Sequence, residues 1–234
     1  MAIVKQAVRY DVDGTTFEAV AKWDDAASGS RPAVLIAPTF MDKSAFEEDK
    51  AEKLAALGYV GFAIDLFGVD IQPTSFEEAG AAMTALNSDH KAVAARMLAA
   101  LAQARALPVT DAAKVAAIGF CFGGKCVLDL ARTGADVKGV VSLHGLFDPP
   151  PFDTAAVIPA KVLALHGWDD PLATPDAVVA LATELTGKKA DWQIHAYGHT
   201  QHGFTNYNRP DMFSADADRR SWKAMGDFLA ELFA

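Results

Sequence analysis

Cysteine is almost missing from this chain: 234 residues hold two, Cys121 and Cys126. They stand five apart in a segment that reads as a turn entering a helix, where a bond between them is geometrically awkward. A disulfide framework is excluded, and a reducing cytoplasm is the expected compartment. Also missing is any apolar run of about 18 residues, the length a membrane-crossing helix requires. The opening "MAIVKQAVRYDVDG" lacks the apolar stretch of a signal peptide. Basic residues are outnumbered, 21 against 30 acidic, for a net charge of −9. A chain of that sign repels phosphate backbones, so neither nucleic acid nor membrane is an expected partner. His195, His199 and His202 lie near one another, but no cysteine or carboxylate cluster completes a metal-ligand set with them.

What is present suits a globular enzyme. Apolar residues make up 51% of the chain, enough for a sizeable core, and the length suits one α/β domain spanning 1–234. Two strands flank the turn Asp13-Gly14 and predict an opening hairpin. A polar loop, "DDAASGSRP", follows. Short apolar runs at 33–38, 59–65 and 114–120 read as buried strands, with further strands in "VKGVVSLHG", "AKVLALHG" and "ADWQIHAYG". Between them lie helical patterns. One runs from the cap candidate Ser44 to Gly58, another covers 76–106 as one long helix or two, and 122–132 stops before Gly134. Pro175 and Gly187 bracket a fourth, and "SADADRRSWKAMGDFLAELF" closes the chain. "DPPPFD" at 148–153 reads as a loop over the sheet edge. No internal repeat or low-complexity linker interrupts this alternation.

Strands alternating with helices predict a mostly parallel central sheet, with an N-terminal antiparallel hairpin and helices on both faces. Ligands bind such sheets at the carboxyl ends of the strands. Thr39, Asp65, Cys121, Asp170 and His202 all fall at such ends.

The sharpest pattern is Gly119-x-Cys121-x-Gly123, a G-x-S-x-G elbow with cysteine in the serine position. A nucleophile on a strained strand-to-helix turn leaves no room for side chains two residues to either side. The positive end of the following helix favours a thiolate. The Phe122 backbone N–H is then one oxyanion donor. On this architecture the acid and then the histidine come later in the chain. "ALHGWDDPLA" offers Asp169 and Asp170, and "GHTQHGFTN" offers His199 and His202. A different origin for each feature is physically available. A free cysteine is often mere core, as Cys126 with its apolar neighbours is expected to be. Asp-Pro is a turn pair. Asp65 reads as a loop holder that accepts backbone N–H groups. His144 and His166, each before a glycine at a strand end, read as pocket-lining or backbone-bonded side chains rather than catalytic ones.

Gly-Phe-Cys-Phe-Gly-Gly, then His-Gly-x-x-Asp-Pro, then His-Gly-Phe before a terminal helix together resemble the dienelactone hydrolase family of the α/β-hydrolases. "AIDLFG" at 63–68 is similar to that family's Pro-Asp-Leu-Tyr/Phe-Gly segment, with Ala63-Ile64 ahead of the aspartate in place of proline. The resemblance spans nearly the whole chain. It implies an α/β-hydrolase fold with Cys121 as nucleophile, Asp170 as acid, His202 as base and the Phe40 backbone N–H as second oxyanion donor. Asp169 and His199 are the alternatives. Two departures bear on substrate. The family carries Gln-Glu where this chain has Pro38-Thr39, and a substrate-gripping arginine where it has Asn206. No arginine stands between Gly68 and Ala79 to serve as the second one. Thr39 and Asn206 are therefore substrate-pocket candidates, and a substrate other than dienelactone is expected.

The resulting expectation is hydrolysis of a small ester or lactone through a thioester, without cofactor or metal, by a monomer or homodimer. A glutamine amidotransferase needs a carboxylate two residues after its histidine, where this chain has Phe204. The rival of another class is a ligand-binding or redox-sensing protein on a hydrolase scaffold.

Overall fold

A computed structural model describes residues 2–26 and 28–234. Ala27, within the polar loop expected after the hairpin, lies outside the described residues, as does Met1. The chain divides into two compact units, Met1–Ala117 and Ile118–Ala234.

In the first unit, β1 (Ile3–Val12) and β2 (Thr15–Asp24) form the expected hairpin. Asp13 and Gly14 both take positive φ, 50° and 82°, the handedness that matches the twist of a two-residue turn. β2 pairs antiparallel with β4 (Val60–Ala63), and β4 pairs parallel with β3 (Arg31–Ala37). β4 is wholly buried and β3 nearly so, which is why both read as unbroken apolar runs rather than alternating ones. The strand expected over 59–65 is only four residues long, and Asp65 belongs to the turn after it. Helix α1 (Ala45–Ala56) starts in a reciprocal cap between Ser44 and Glu47. It packs so closely on β4 that a Cβ at Gly61 would lie 2.4 Å from the Ala51 carbonyl oxygen. The long helical stretch resolves into α2 (Phe76–Asn87) and α3 (His90–Ala106). The break comes where Asp89 turns its carboxylate to the Ala92 N–H and caps a new helix.

β5 (Thr110–Phe120) starts four residues earlier than its apolar run and crosses the division between the units. In the second unit it leads directly into α4 (Phe122–Arg132), all eleven residues of which are buried. β6 (Gly139–Leu143), β7 (Lys161–Gly167) and β8 (Trp192–Tyr197) follow, each parallel to the next. Helix α5 (Pro175–Gly187) connects β7 to β8, and α6 (Ala215–Phe233), capped by Ser214, packs on β6 and β7. The proline-rich 148–153 is irregular, as expected of a loop. The ends of β5, β6, β7 and β8 carry the residues considered next.

Candidate active site

Cys121 is the residue between β5 and α4. Its backbone sits at φ 56° and ψ −116°, a conformation that L-residues seldom adopt. The sequence permits it because position 119 is glycine: a Cβ there would meet the Gly123 carbonyl oxygen at 2.0 Å. The Cys121 carbonyl accepts the Gly124 N–H at 3.0 Å and so opens the helix. The Cys121 N–H is shared between the Leu143 carbonyl and His144 Nδ1, each at 3.1 Å.

Asp170 and His202 come from the loops after β7 and β8, and close packing laces those loops together. Gly167 has no room for a side chain, since a Cβ would stand 2.5 Å from the Thr200 carbonyl oxygen. Trp168 N–H donates to Tyr197 and Asp169 N–H to Thr200, both at 2.9 Å. Asp170 then turns inward. Its Oδ1 accepts the Leu172 N–H at 2.8 Å, and its Oδ2 lies 2.8 Å from His202 Nδ1. On the far side of the ring, Nε2 stands 3.1 Å from Cys121 Sγ. Burial alone would pull the His202 ring down, but the Asp170 carboxylate and the Cys121 sulfur outweigh it, and its pKa is pushed up to about 10. With a carboxylate at Nδ1, that nitrogen carries a proton, leaving Nε2 to exchange one with sulfur.

Asp169 and His199 do not enter this chain. His199 is fully exposed, and its Nδ1 is 4.0 Å from an Asp169 carboxylate that is itself half exposed. His166 is buried against the Phe147 ring, and burial pushes its pKa down, which keeps it neutral. Cys126 is fully buried, and its thiol is pushed far up by that burial, as suits a core residue. Asp65 does hold a loop, accepting the Glu18 and Gly68 N–H groups at 3.1 and 2.7 Å.

Thr39 and Phe40 belong to the first unit. A carboxylate does reach the neighbourhood where the sequence reading found none: Glu47, from α1, accepts the Thr39 N–H at 3.1 Å. It also accepts the Ser44 N–H at 2.9 Å and the Ser44 hydroxyl at 2.6 Å. The capping pattern Ser-x-x-Glu was the signal for it. The Phe40 ring lies 5.8 Å from that of Phe76. In the second unit, the Asn206 side-chain oxygen accepts the Asn208 N–H at 3.1 Å and so serves its own turn. Arg209, three residues on, is engaged by Asp211 at 2.8 and 3.0 Å. His144, expected to line the pocket or bond to backbone, is buried and accepts the Cys121 backbone N–H. Among the described residues no group of three or more histidine, cysteine or carboxylate side chains could hold a metal ion, and no helix is long and apolar enough to cross a membrane.

The model of the dienelactone hydrolase family matches residues 17–233. A solved structure of a dienelactone hydrolase-like promiscuous phosphotriesterase from metagenomic libraries is 34% identical, with a TM-score of 0.94 over 100% of both chains. An uncharacterized protein of Caenorhabditis elegans is 32% identical over 147 residues, 59% of this chain and 93% of its own length. A Methylorubrum extorquens protein provisionally named carboxymethylenebutenolidase is 27% identical over 220 residues, 88% of this chain and 74% of its own length. The fold is that of the α/β-hydrolases.

Proposed function

Because the chain belongs to the dienelactone hydrolase family, we propose that this hydrolase cleaves an ester or lactone of a small carboxylic acid through Cys121, His202 and Asp170. The observation that carries the reading is the unbroken line from Asp170 through His202 to the Cys121 sulfur, at 2.8 and 3.1 Å. His202 Nε2 takes the thiol proton, or already holds it in a thiolate–imidazolium pair, and Sγ bonds to the substrate carbonyl carbon. The tetrahedral oxyanion is met by the backbone N–H of Phe122. Its collapse expels the alkoxide, which leaves with the proton from His202. Water then gives a proton to the same nitrogen as it attacks the thioester, and the acid departs as sulfur regains its proton. Asp170 holds the ring and balances its charge throughout. No step calls for a cofactor. Thr39 and Asn206, in place of a glutamate and an arginine, favour a substrate without the dienelactone carboxylate. We treat residues 1–234 as one domain, working in the cytoplasm as a monomer or homodimer.

The test is a panel of p-nitrophenyl esters and lactones. Cys121→Ala and His202→Ala are each expected to abolish turnover. Full turnover by Cys121→Ala removes the nucleophile assignment. One equivalent of product with no turnover, or a peroxide-derived sulfenate on Cys121 without hydrolysis, favours the binding or redox-sensing alternative.

A second substrate class is favoured by the phosphotriesterase relative, which is similar over the full length of both chains. Cys121 Sγ attacking phosphorus displaces an aryl oxide as readily in outline as it displaces an alkoxide from an ester. Steady release of p-nitrophenol from a dialkyl p-nitrophenyl phosphate supports this class. A single equivalent followed by silence confines the enzyme to carboxylic substrates.

A further inference from the structure

Two histidines converge on Cys121, and the mechanism above uses only one. His202 meets the sulfur, whereas His144 meets the backbone N–H at 3.1 Å. We propose that His144 is a positioning residue that locks the strained backbone of Cys121 and thereby aims the adjoining Phe122 N–H at the developing oxyanion. The inference rests on Cys121 being the nucleophile.

The chemistry of the two hydrogen bonds fixes the state of the ring. A backbone N–H can only donate, so Nδ1 must present its lone pair. The neutral ring then carries its hydrogen on Nε2, which lies 2.8 Å from Thr205 Oγ1 and donates to it. The ring has little freedom. It is 1% exposed, and it meets His202 and Phe204 edge-on at centroid distances of 5.3 and 5.2 Å. Phe120 is 6.0 Å away on the nucleophile's own strand. His202, Phe204 and Thr205 belong to one loop, so the segment that delivers the base also fixes His144.

Strain makes such a lock necessary. Cys121 and His144 both have positive φ, 56° and 39°, without being glycine. Conformations of this kind persist only where the surroundings over-determine them. Close packing supplies part of that, since Gly124 and Gly145 approach so tightly that a Cβ on Gly124 would sit 2.7 Å from the Gly145 Cα. The Cys121 N–H is held by the Leu143 carbonyl and by His144 Nδ1, each at 3.1 Å, and the N–H···Nδ1 bond is the side-chain part of that hold. It acts on the peptide unit just before the nucleophile, and Cys121 carries the next peptide, whose N–H is that of Phe122. A small rotation there re-aims an oxyanion donor without moving the sulfur far.

The experiment compares His144→Phe with His144→Asn. Phe keeps a ring but offers no acceptor, whereas Asn Oδ1 can take the place of Nδ1. His144→Phe is expected to lower kcat on a p-nitrophenyl ester roughly 10- to 100-fold with little change in KM, the cost of a misaimed donor. His144→Asn is expected to restore most of the loss. Alkylation of Cys121 by iodoacetamide, which develops no oxyanion, should stay within about threefold of wild type in both variants. Nitrogen-15 spectra of the wild-type enzyme should show His144 as the Nε2–H tautomer. Unchanged kcat in His144→Phe, an Asn variant as impaired as Phe, or an Nδ1–H tautomer would each overturn the inference. The tautomer and the Asn comparison decide the matter even if the Phe variant does not fold. Turnover retained by Cys121→Ala is a separate result that removes the nucleophile reading instead.

Discussion

Asp42 shows how one side chain can set a pH dependence that has nothing to do with turnover. It is buried beside Asp65, and its carboxyl holds its proton well above the usual range, first because burial penalises the charge and then because Asp65 is negative. Tyr10 and Arg96 face the same pair, and burial also drives the Tyr10 hydroxyl upward. A carboxyl whose folded pKa is raised binds more protons in the native state than in the unfolded one. Its contribution is therefore present at low pH and lost as pH climbs from the unfolded value, about 4, through the folded one. Asn at this position keeps both bonds: an acceptor for the Leu66 N–H, now 2.8 Å from Asp42 Oδ1, and a donor toward Asp65. Asn also tolerates the φ of 63°. Asp42→Asn should raise Tm by roughly 2–4 °C at pH 7 to 8 and by much less near pH 4, read by circular dichroism. An equal gain at both pH values refutes the account. At the proposed triad, Asp170→Asn should cut kcat by roughly 10⁴-fold by leaving the wrong tautomer at His202. Asp169→Asn should be near neutral, and the reverse ranking transfers the acid role. The family resemblance favoured Asp170 by its spacing to Gly167 and the proline after it, with Asp169 left as the alternative. The Asp42–Asp65 pairing was not legible, since the two residues meet only after the loops behind β3 and β4 fold.

Helix α4 carries Cys121, the proposed nucleophile, at its start and a buried charge network at its end. Lys125 and Arg132 bracket Asp129 at 2.6 and 2.9 Å. Arg132 also reaches Glu184 of α5 at 2.7 Å and the Phe147 carbonyl at 2.9 Å. The guanidinium thereby ties two separate segments, α5 and the loop at Phe147, to the end of the elbow helix. Removing Arg132 leaves Glu184 without this partner and Asp129 with Lys125 alone from the trio. Arg132→Met should therefore cost about 3–5 kcal/mol, measured as a lowered urea midpoint at constant m. A cost under about 1 kcal/mol would mean that the network contributes little. The helix itself was evident in its apolar pattern and the glycine after it. Its complete burial was hidden, because the partner that makes Arg132 tolerable inside, Glu184, lies 52 residues away.

On the scale of the molecule, the division between the compact units falls inside β5, which gives 110–117 to one and 118–120 to the other. A strand cannot stay paired in half of its length while the rest unfolds at little cost, so a single cooperative transition is expected. Melting followed by far-UV circular dichroism, by tryptophan fluorescence and by residual activity should coincide. Two transitions separated by more than about 5 °C would make the units independent domains.

The sequence by itself determined the order of the elements, the hairpin turn, the elbow glycine at 119 and the chain order of Cys121, Asp170 and His202. Each of these is local, written in periodicity, in a residue's conformational range or in a short motif. Only the tertiary structure decided that Asp170 and His202 meet while Asp169 and His199 stay in solvent. It alone brought Glu47 to the Thr39 backbone and His144 to the Cys121 N–H. Those contacts span 8 residues for Thr39 and Glu47, 23 for Cys121 and His144 and 32 for Asp170 and His202, and side-chain direction at the end of a strand depends on how the neighbouring loop packs.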